Sequence, residues 1–357
     1  MGVRPEPPSK LGLCYKANQL EVYKKVGYNM RDYIIKRFIL MIVMLFIISI
    51  FSFIVIKLPP GDYVTAYISN LENQLGQAVS DEVIASIRRQ YGLDKPTYLQ
   101  YFYWIKNMLK GDFGRSFEWQ KPVAQLIWDN LGLTVVLSLL TLVVTYAIAI
   151  PLGIYSARHQ YSILDYVFST IGFIGLSTPS FFMALILMFL ANKYLGISVG
   201  GIHSPEFLNA PWSVAKLLDT LLHFPIPIIV IGLQGTASVM RIMRATLLDE
   251  LKRPYVTAAR ARGFNEKKLL YKYPVRVALN PIISTIGSIL PGIVSGATVT
   301  AIVLDIPTIG SLLYSSLLSQ DMYLSGACIM ILAFMTILGT FISDVLLALV
   351  DPRIRYT

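Results

Sequence analysis

The side chains that perform covalent or metal chemistry are few in this chain and stand far apart. Its three histidines, His159, His203 and His223, fall at the ends of apolar runs or in the loops between them. Cys14 lies in a polar N-terminal tail and Cys328 in the last apolar run, so they neither pair nor offer a zinc spacing. Ser177, in "GLST", has no histidine inside an apolar run to act as its base, which leaves Gly175 and Ser177 to helix packing. The sequence has no G-x-x-x-x-G-K-[ST] loop to cradle a nucleotide and no H-E-x-x-H to hold zinc. What remains is "YVTAARARGF", 255–264. Here two guanidinium groups, Arg260 and Arg262, stand among small residues that end at Gly263. Such a pair suits the carboxylates of a partner protein better than it suits a reaction.

The elements around this stretch are built for a bilayer. The chain is 55% hydrophobic and only 15% charged, with a mean hydropathy of +0.59. Its apolar residues come in runs instead of amphipathic stripes. Residues 38–56 carry no charge and approach the ~20 residues that a spanning helix needs. Further runs at 132–157, 167–190, about 221–240, 281–304 and 326–350 bring the predicted spans to six. The fourth contains Pro225, Pro227 and Gln234, which a membrane helix tolerates when its neighbours satisfy the freed backbone groups. The first run is too long for a signal-peptide core and follows a polar stretch, so it reads as a retained anchor.

The net charge of +10 follows topology instead of marking a nucleic-acid surface. Residues 1–37 hold eight Lys and Arg against three acids, and 241–280 hold ten against three. By contrast, 57–130 balance at eight each, 191–224 at two each, and 305–325 hold two acids and no base. The positive-inside rule then places both termini, the 158–166 turn and the 241–280 loop in the cytoplasm of a multi-pass plasma-membrane protein. No Lys or Arg falls within the predicted spans, and Asp344 is the one deep acid. Ion-coupled carriers use ionisable groups at mid-membrane, so a secondary transporter or channel is the weaker alternative. Asp344 is expected to hydrogen-bond between helices near the inner face. A membrane enzyme is weaker still, for want of a nucleophile–base pair or a metal set.

Along the chain, 1–30 read as a cytoplasmic tail and 31–57 as the first transmembrane helix. Residues 58–128 read as an extracellular helical subdomain, entered by the turn "LPPGD" and containing an aromatic surface helix at 98–109. Residues 129–350 form a second unit of five helices, and 351–357 a cytoplasmic end. Within 241–280, Pro254 can open a short helix as its first residue, and Gly263 permits a sharp turn. "NEKKLLYKY" can then start a second helix. The result is a compact knob on the cytoplasmic side.

The spacing Ala258-Ala259-x-x-x-Gly263 resembles the EAA loop of ABC-importer permeases, and its surroundings are similar to the oligopeptide/dipeptide branch. "RDYIIKRFIL", "LPPGD", "GDFGRSF", "IPLGIYSARHQYSILD", "STPSFF", "RIMRATLLDELKRPYVTAARARG", "NPII" and "DPRIRYT" match that branch in order from about residue 30 onward. Thr257 stands where many EAA loops open on an acid. Pro307-Thr308-Ile309-Gly310 stands for the branch's P-G-x-G, with Ala301 in place of the acid that usually precedes it.

The resemblance implies an all-α, six-helix, type I importer permease fold. It implies a second homologous permease, two ABC ATPase subunits that use ATP and Mg, and an extracellular substrate-binding protein as partners. No cofactor is expected on this chain itself. Tyr255, Thr257, Ala258, Ala259, Arg260, Arg262, Gly263 and Phe264 become the ATPase-coupling surface, and Tyr146, Phe173, Phe181, Phe182 and Gln234 the candidate pore lining. Peptides are the default cargo, with nickel and oligosaccharides as the alternatives known among relatives.

Overall fold

The computed structural model describes residues 30–58, 80–90, 94–196 and 200–350, with gaps at Phe117, Leu208, Asn209 and Trp212, and also Ile68 and Glu72. Residues 1–29 of the N-terminal tail, all of the "LPPGD" turn but Leu58, and the "DPRIRYT" end lie outside the described residues. Among the described residues the structure is helical, and its one bridge joins Arg115 to Pro122. The helices are α1 (Met30–Lys57), α2 (Asp81–Gln90), α3 (Thr97–Leu109), α4 (Val123–Arg158), α5 (Ile163–Ser177), α6 (Ser180–Leu195) and α7 (Val214–His223). They continue with α8 (Pro225–Leu251), α9 (Pro254–Ala261), α10 (Glu266–Lys272), α11 (Pro274–Val303), α12 (Ile309–Leu318) and α13 (Met322–Val350).

Local chemistry sets the boundaries. Pro225, Pro254 and Pro274 each sit in the first turn of a helix, where the missing N–H costs nothing. Ser162, Ser213 and Asn265 accept backbone N–H bonds at the starts of α5, α7 and α10. Thr308 and Ser311 form a reciprocal capping box at α12.

By length and composition α1, α4, the α7–α8 pair and α13 can each cross a membrane, and α5 with α6 makes one broken span bent by 111°. The run 167–190 is therefore not one straight span. Pro179 lacks an N–H, and Thr178 before it is held extended at φ −93°, ψ 127°, so the helix breaks there. The fifth expected span falls on α11, which packs between α8 and α13. α8 also departs from expectation. It does not end where the charges begin at Arg241 but continues to Leu251, so the first part of 241–280 is helix, not loop.

α1 exposes most of its apolar residues, Phe46 at 58% and Phe51 at 63% among them, as a helix facing lipid must. The aromatic helix α3 rests on its end. Tyr101 lies 5.5 Å and Trp104 5.7 Å from the Phe53 ring, and the Tyr101 and Ser49 hydroxyls are 2.8 Å apart.

α4 and α8 are packed back to back. A Cβ on Gly153 would stand 2.6 Å from the Met243 Cβ, and one on Gly232 would stand 3.0 Å from the Thr145 Oγ1. Only glycine permits this approach. Two buried clusters mark the two ends of α4. One gathers Ala157, Met243, Leu247, Leu270 and Val275 beside α9 and α10. The other gathers Val123, Ile127, Ile309, Leu324 and Cys328 at the opposite end. Near the latter, fully buried Asp321 accepts a 2.6 Å hydrogen bond from Ser116. That bond gives "GDFGRSF" a structural reason: it ties the subdomain to α13.

Candidate functional site

The 254–272 segment folds as two short helices, α9 and α10, at right places for a knob. The α9 end is closed by two backbone bonds. The Phe264 N–H reaches the Ala259 carbonyl at 3.3 Å, and the Gly263 N–H reaches that of Arg260 at 2.9 Å. This is a Schellman cap, which needs a left-handed residue between the two. Gly263 supplies it at φ +76°.

The knob has a buried side and an open side. Val256 and Leu269 are fully buried, and Leu270 joins the cluster that holds Ala157, Met243 and Leu247. Thr257, Ala258, Arg260, Arg262, Gly263, Phe264 and Tyr255 are exposed, and Ala259 is half-buried. The open face is thus small and lightly basic, while one buried valine anchors α9. Val256 was missed in the sequence because its neighbours are small and polar.

Two polar contacts fix the knob's attitude. The Tyr255 hydroxyl donates to Glu250 Oε2 at 2.7 Å, and Arg253 lies 3.5 Å from the same carboxylate, which links α9 to the end of α8. Partial desolvation of the hydroxyl against the end of α8 and the Glu250 carboxylate push Tyr255 up to about 12, so it stays a donor throughout the neutral range. Arg260 is exposed, yet it already has an intramolecular partner. It pairs with Glu266 at 2.8 Å across the Gly263 turn.

About two turns before the end of α8, its Arg244 grips Asp165 of α5 with two bonds of 2.9 and 2.8 Å. The carboxylate also accepts the Tyr161 N–H at 3.0 Å, so the 158–162 turn is tied to α8. Asp165 is only 2% exposed. The two residues are 79 positions apart, and their local signal is limited to Ser162, which caps α5 three residues before the acid.

The remaining expected positions are distributed as follows. Phe173, Phe181, Phe182 and Gln234 are exposed around the α5–α6 bend. Gln234 donates at 3.4 Å to the Thr178 carbonyl that the bend frees, and the Arg241 guanidinium lies 5.9 Å from the Phe173 ring. Tyr146 is apart from them. Half-buried, it meets Thr285 of α11 at 2.8 Å. Asp344 meets Arg37 of α1 at 2.9 Å. That arginine stands inside α1, which begins earlier than the charge-free run. Of the histidines, His159 stacks on Tyr155, while His203 and His223 flank Asp219. Burial holds the His203 imidazole below its ordinary range.

This architecture can be set beside known proteins. The family described as "Binding-protein-dependent transport system inner membrane component" matches residues 149–356, and its N-terminal counterpart matches 30–138. The chain belongs to the ABC-importer permeases. The permease is 35% identical over 329 residues to the oligopeptide transport system permease protein AppB of Bacillus subtilis (strain 168), covering 92% of this chain and all of that one. It is 33% identical over 322 residues to the nickel import system permease protein NikB of Staphylococcus aureus (strain MRSA252), covering 90% and 91% of the two chains. NikB of strain USA300 is 33% identical over 319 residues. The permease is therefore a multi-pass plasma-membrane component of an importer, in a family whose members are not themselves catalytic.

Proposed function

We propose that this permease forms half of the translocation path of an ATP-driven importer, paired with a second related permease and served by two ATPase subunits and an external binding protein. The observation that carries the reading is the knob. α9 presents small, exposed residues outward, Val256 and Leu269 are buried beneath it, and Leu270 roots it in the cluster shared by the ends of α4, α8 and α11. A partner that grips the open face moves those three helices together. In this reading the knob lies in the cytoplasm with both termini, and the ATPases bind and hydrolyse ATP with Mg. Their closure turns the spans from inward-open to outward-open, and cargo then enters from the docked binding protein.

Oligopeptides or dipeptides are the favoured cargo, because the relative matched along its full length is an oligopeptide permease. Nickel is the second reading, because the nickel permeases cover nine-tenths of both chains. The exposed aromatics at the α5–α6 bend are candidate pore lining under either reading. The test is uptake into proteoliposomes that contain the whole complex, with ATP inside and binding protein outside. Uptake of labelled peptide that requires both supports the reading, and uptake that requires neither overturns it.

A further inference from the structure

We propose that the cavity at the α11–α12 turn is a subsite for an ammonium group of the cargo, with Asp305 as its carboxylate. The proposal rests on the peptide-import reading and adds a charge preference to it. α11 begins beside the knob and has 30 residues, which at 1.5 Å each carry its other end about 45 Å away. At that end lies a cavity of about 610 Å³, within the roughly 300–1,000 Å³ typical of small-molecule sites. Asn130, His203, Asp305, Ser311, Tyr314 and Ser315 supply its polar lining. Asp305 is the one acid among the lining residues, and neither Lys nor Arg is among them.

Asp305 holds this place against one local preference and in keeping with another. α11 ends in the same kind of cap as α9, with the Ile306 N–H on the Ala301 carbonyl at 2.8 Å and the Asp305 N–H on that of Ile302 at 3.1 Å. Asp305 therefore takes the left-handed position, φ +54°, a region that Asp and Asn enter more readily than most L-residues. It also puts a negative charge at the carbonyl end of a helix, which favours cations. Its side chain is exposed at the cavity wall. An acid set against the helix-end preference at a cavity wall is what a binding residue leaves behind.

The walls are held in place from several sides. The Gly201 N–H bonds the Leu304 carbonyl at 2.8 Å, and the Ile309 N–H bonds Thr134 of α4 at 2.9 Å. The Asn130 amide donates to the Leu126 carbonyl at 2.8 Å, which leaves its oxygen as an acceptor. One carboxylate among neutral oxygens suits an ammonium donor. Nickel favours a richer imidazole set, and the one imidazole here turns its Nδ1 to Thr220 at 3.1 Å.

The experiment uses the complete importer, with Cys14 replaced by serine, and a short peptide with a free amino terminus. Asp305→Asn and Asp305→Cys should each lower kcat/KM for uptake by about tenfold, the scale of one charge-assisted hydrogen bond, with ATPase assembly unchanged. Treating the Asp305→Cys complex with 2-sulfonatoethyl methanethiosulfonate restores a negative charge and should recover most of the loss. The trimethylammonium-ethyl reagent should not. Unchanged uptake in both variants, or equal effects of the two reagents, would overturn the subsite while leaving peptide import standing. A wild-type complex that carries Ni²⁺ and not the peptide would overturn the subsite and the peptide reading together.

Discussion

Gly263 offers a test in which the backbone term stands alone. No atom lies within 4 Å of the point where its Cβ would be, so a methyl group added there touches nothing. The cost of Gly263→Ala is then the left-handed conformation itself, roughly 1–2 kcal/mol for an L-residue. Gly263→Asn should cost less, because asparagine visits that region more readily. Gly263→Pro is different in kind. It removes the N–H that bonds Arg260 at 2.9 Å and forces φ to about −65°, some 140° from the native value, at a cost of ~3 kcal/mol or more. If the whole cost falls on the docked geometry of the knob, ATP-coupled uptake drops about five- to thirtyfold in Gly263→Ala. The expected order is therefore Gly, Asn, Ala, Pro. The assay measures uptake in proteoliposomes alongside the amount of ATPase copurified, with membrane insertion as the control. Wild-type uptake by Gly263→Pro would refute the coupling role of the knob. An Ala variant as poor as the Pro variant would refute the conformational argument, since the added methyl has no contact to lose.

Three further outcomes follow from the described contacts. Arg244→Met leaves the buried Asp165 carboxylate without its cation and should destabilise the detergent-solubilised permease by ~3 kcal/mol. The double variant with Asp165→Asn should recover part of that in thermal unfolding, and an equal melting temperature for wild type and Arg244→Met would contradict the pairing. Asp344→Asn breaks a pair whose Arg37 side chain is 40% exposed, so uptake should fall by less than about fivefold, in line with ≲1 kcal/mol for such pairs. Gradient-driven uptake without ATP that this substitution abolishes would instead make Asp344 a coupling acid. With Cys14 replaced, and Cys328 protected by full burial, an impermeant thiol reagent should label Gln120→Cys from outside and Lys268→Cys only from inside. Outside labelling at 268 would invert the orientation.

What the sequence makes legible depends on how local each cause is. The apolar run of α1, the prolines that open α8, α9 and α11, and Gly263 all act within a few residues, and each is visible in a single line of text. The break in 167–190 is harder to read. Pro179 is in plain view, but the unbroken apolar composition around it reads as one span because hydropathy averages over the bend. α8 was read short because charge marks where a chain leaves lipid, not where a helix ends. The stripe Met240, Met243 and Leu247, buried at every turn, carries the helix on past Arg241. The pairs Arg244–Asp165, Arg37–Asp344 and Ser116–Asp321 join residues 79, 307 and 205 positions apart. No local pattern announces them. Arg260 is the nearest miss, since its partner Glu266 lies just beyond the glycine turn and takes a charge that looked available.

The glycine seam between α4 and α8 has a mechanical consequence. Met243 and the Met240 carbonyl press on the position of Gly153 from one side, and Thr145 presses on that of Gly232 from the other. Two helices interlocked at both points cannot slide past each other without meeting backbone, so they tilt as one rod. α8 has 27 residues, which makes a rod about 40 Å long. A tilt of about 10° pivoting at the knob end carries the other end through roughly 7 Å by the same geometry. In the proposed import cycle, a modest rotation at the knob therefore becomes a far larger displacement at the opposite end of α8.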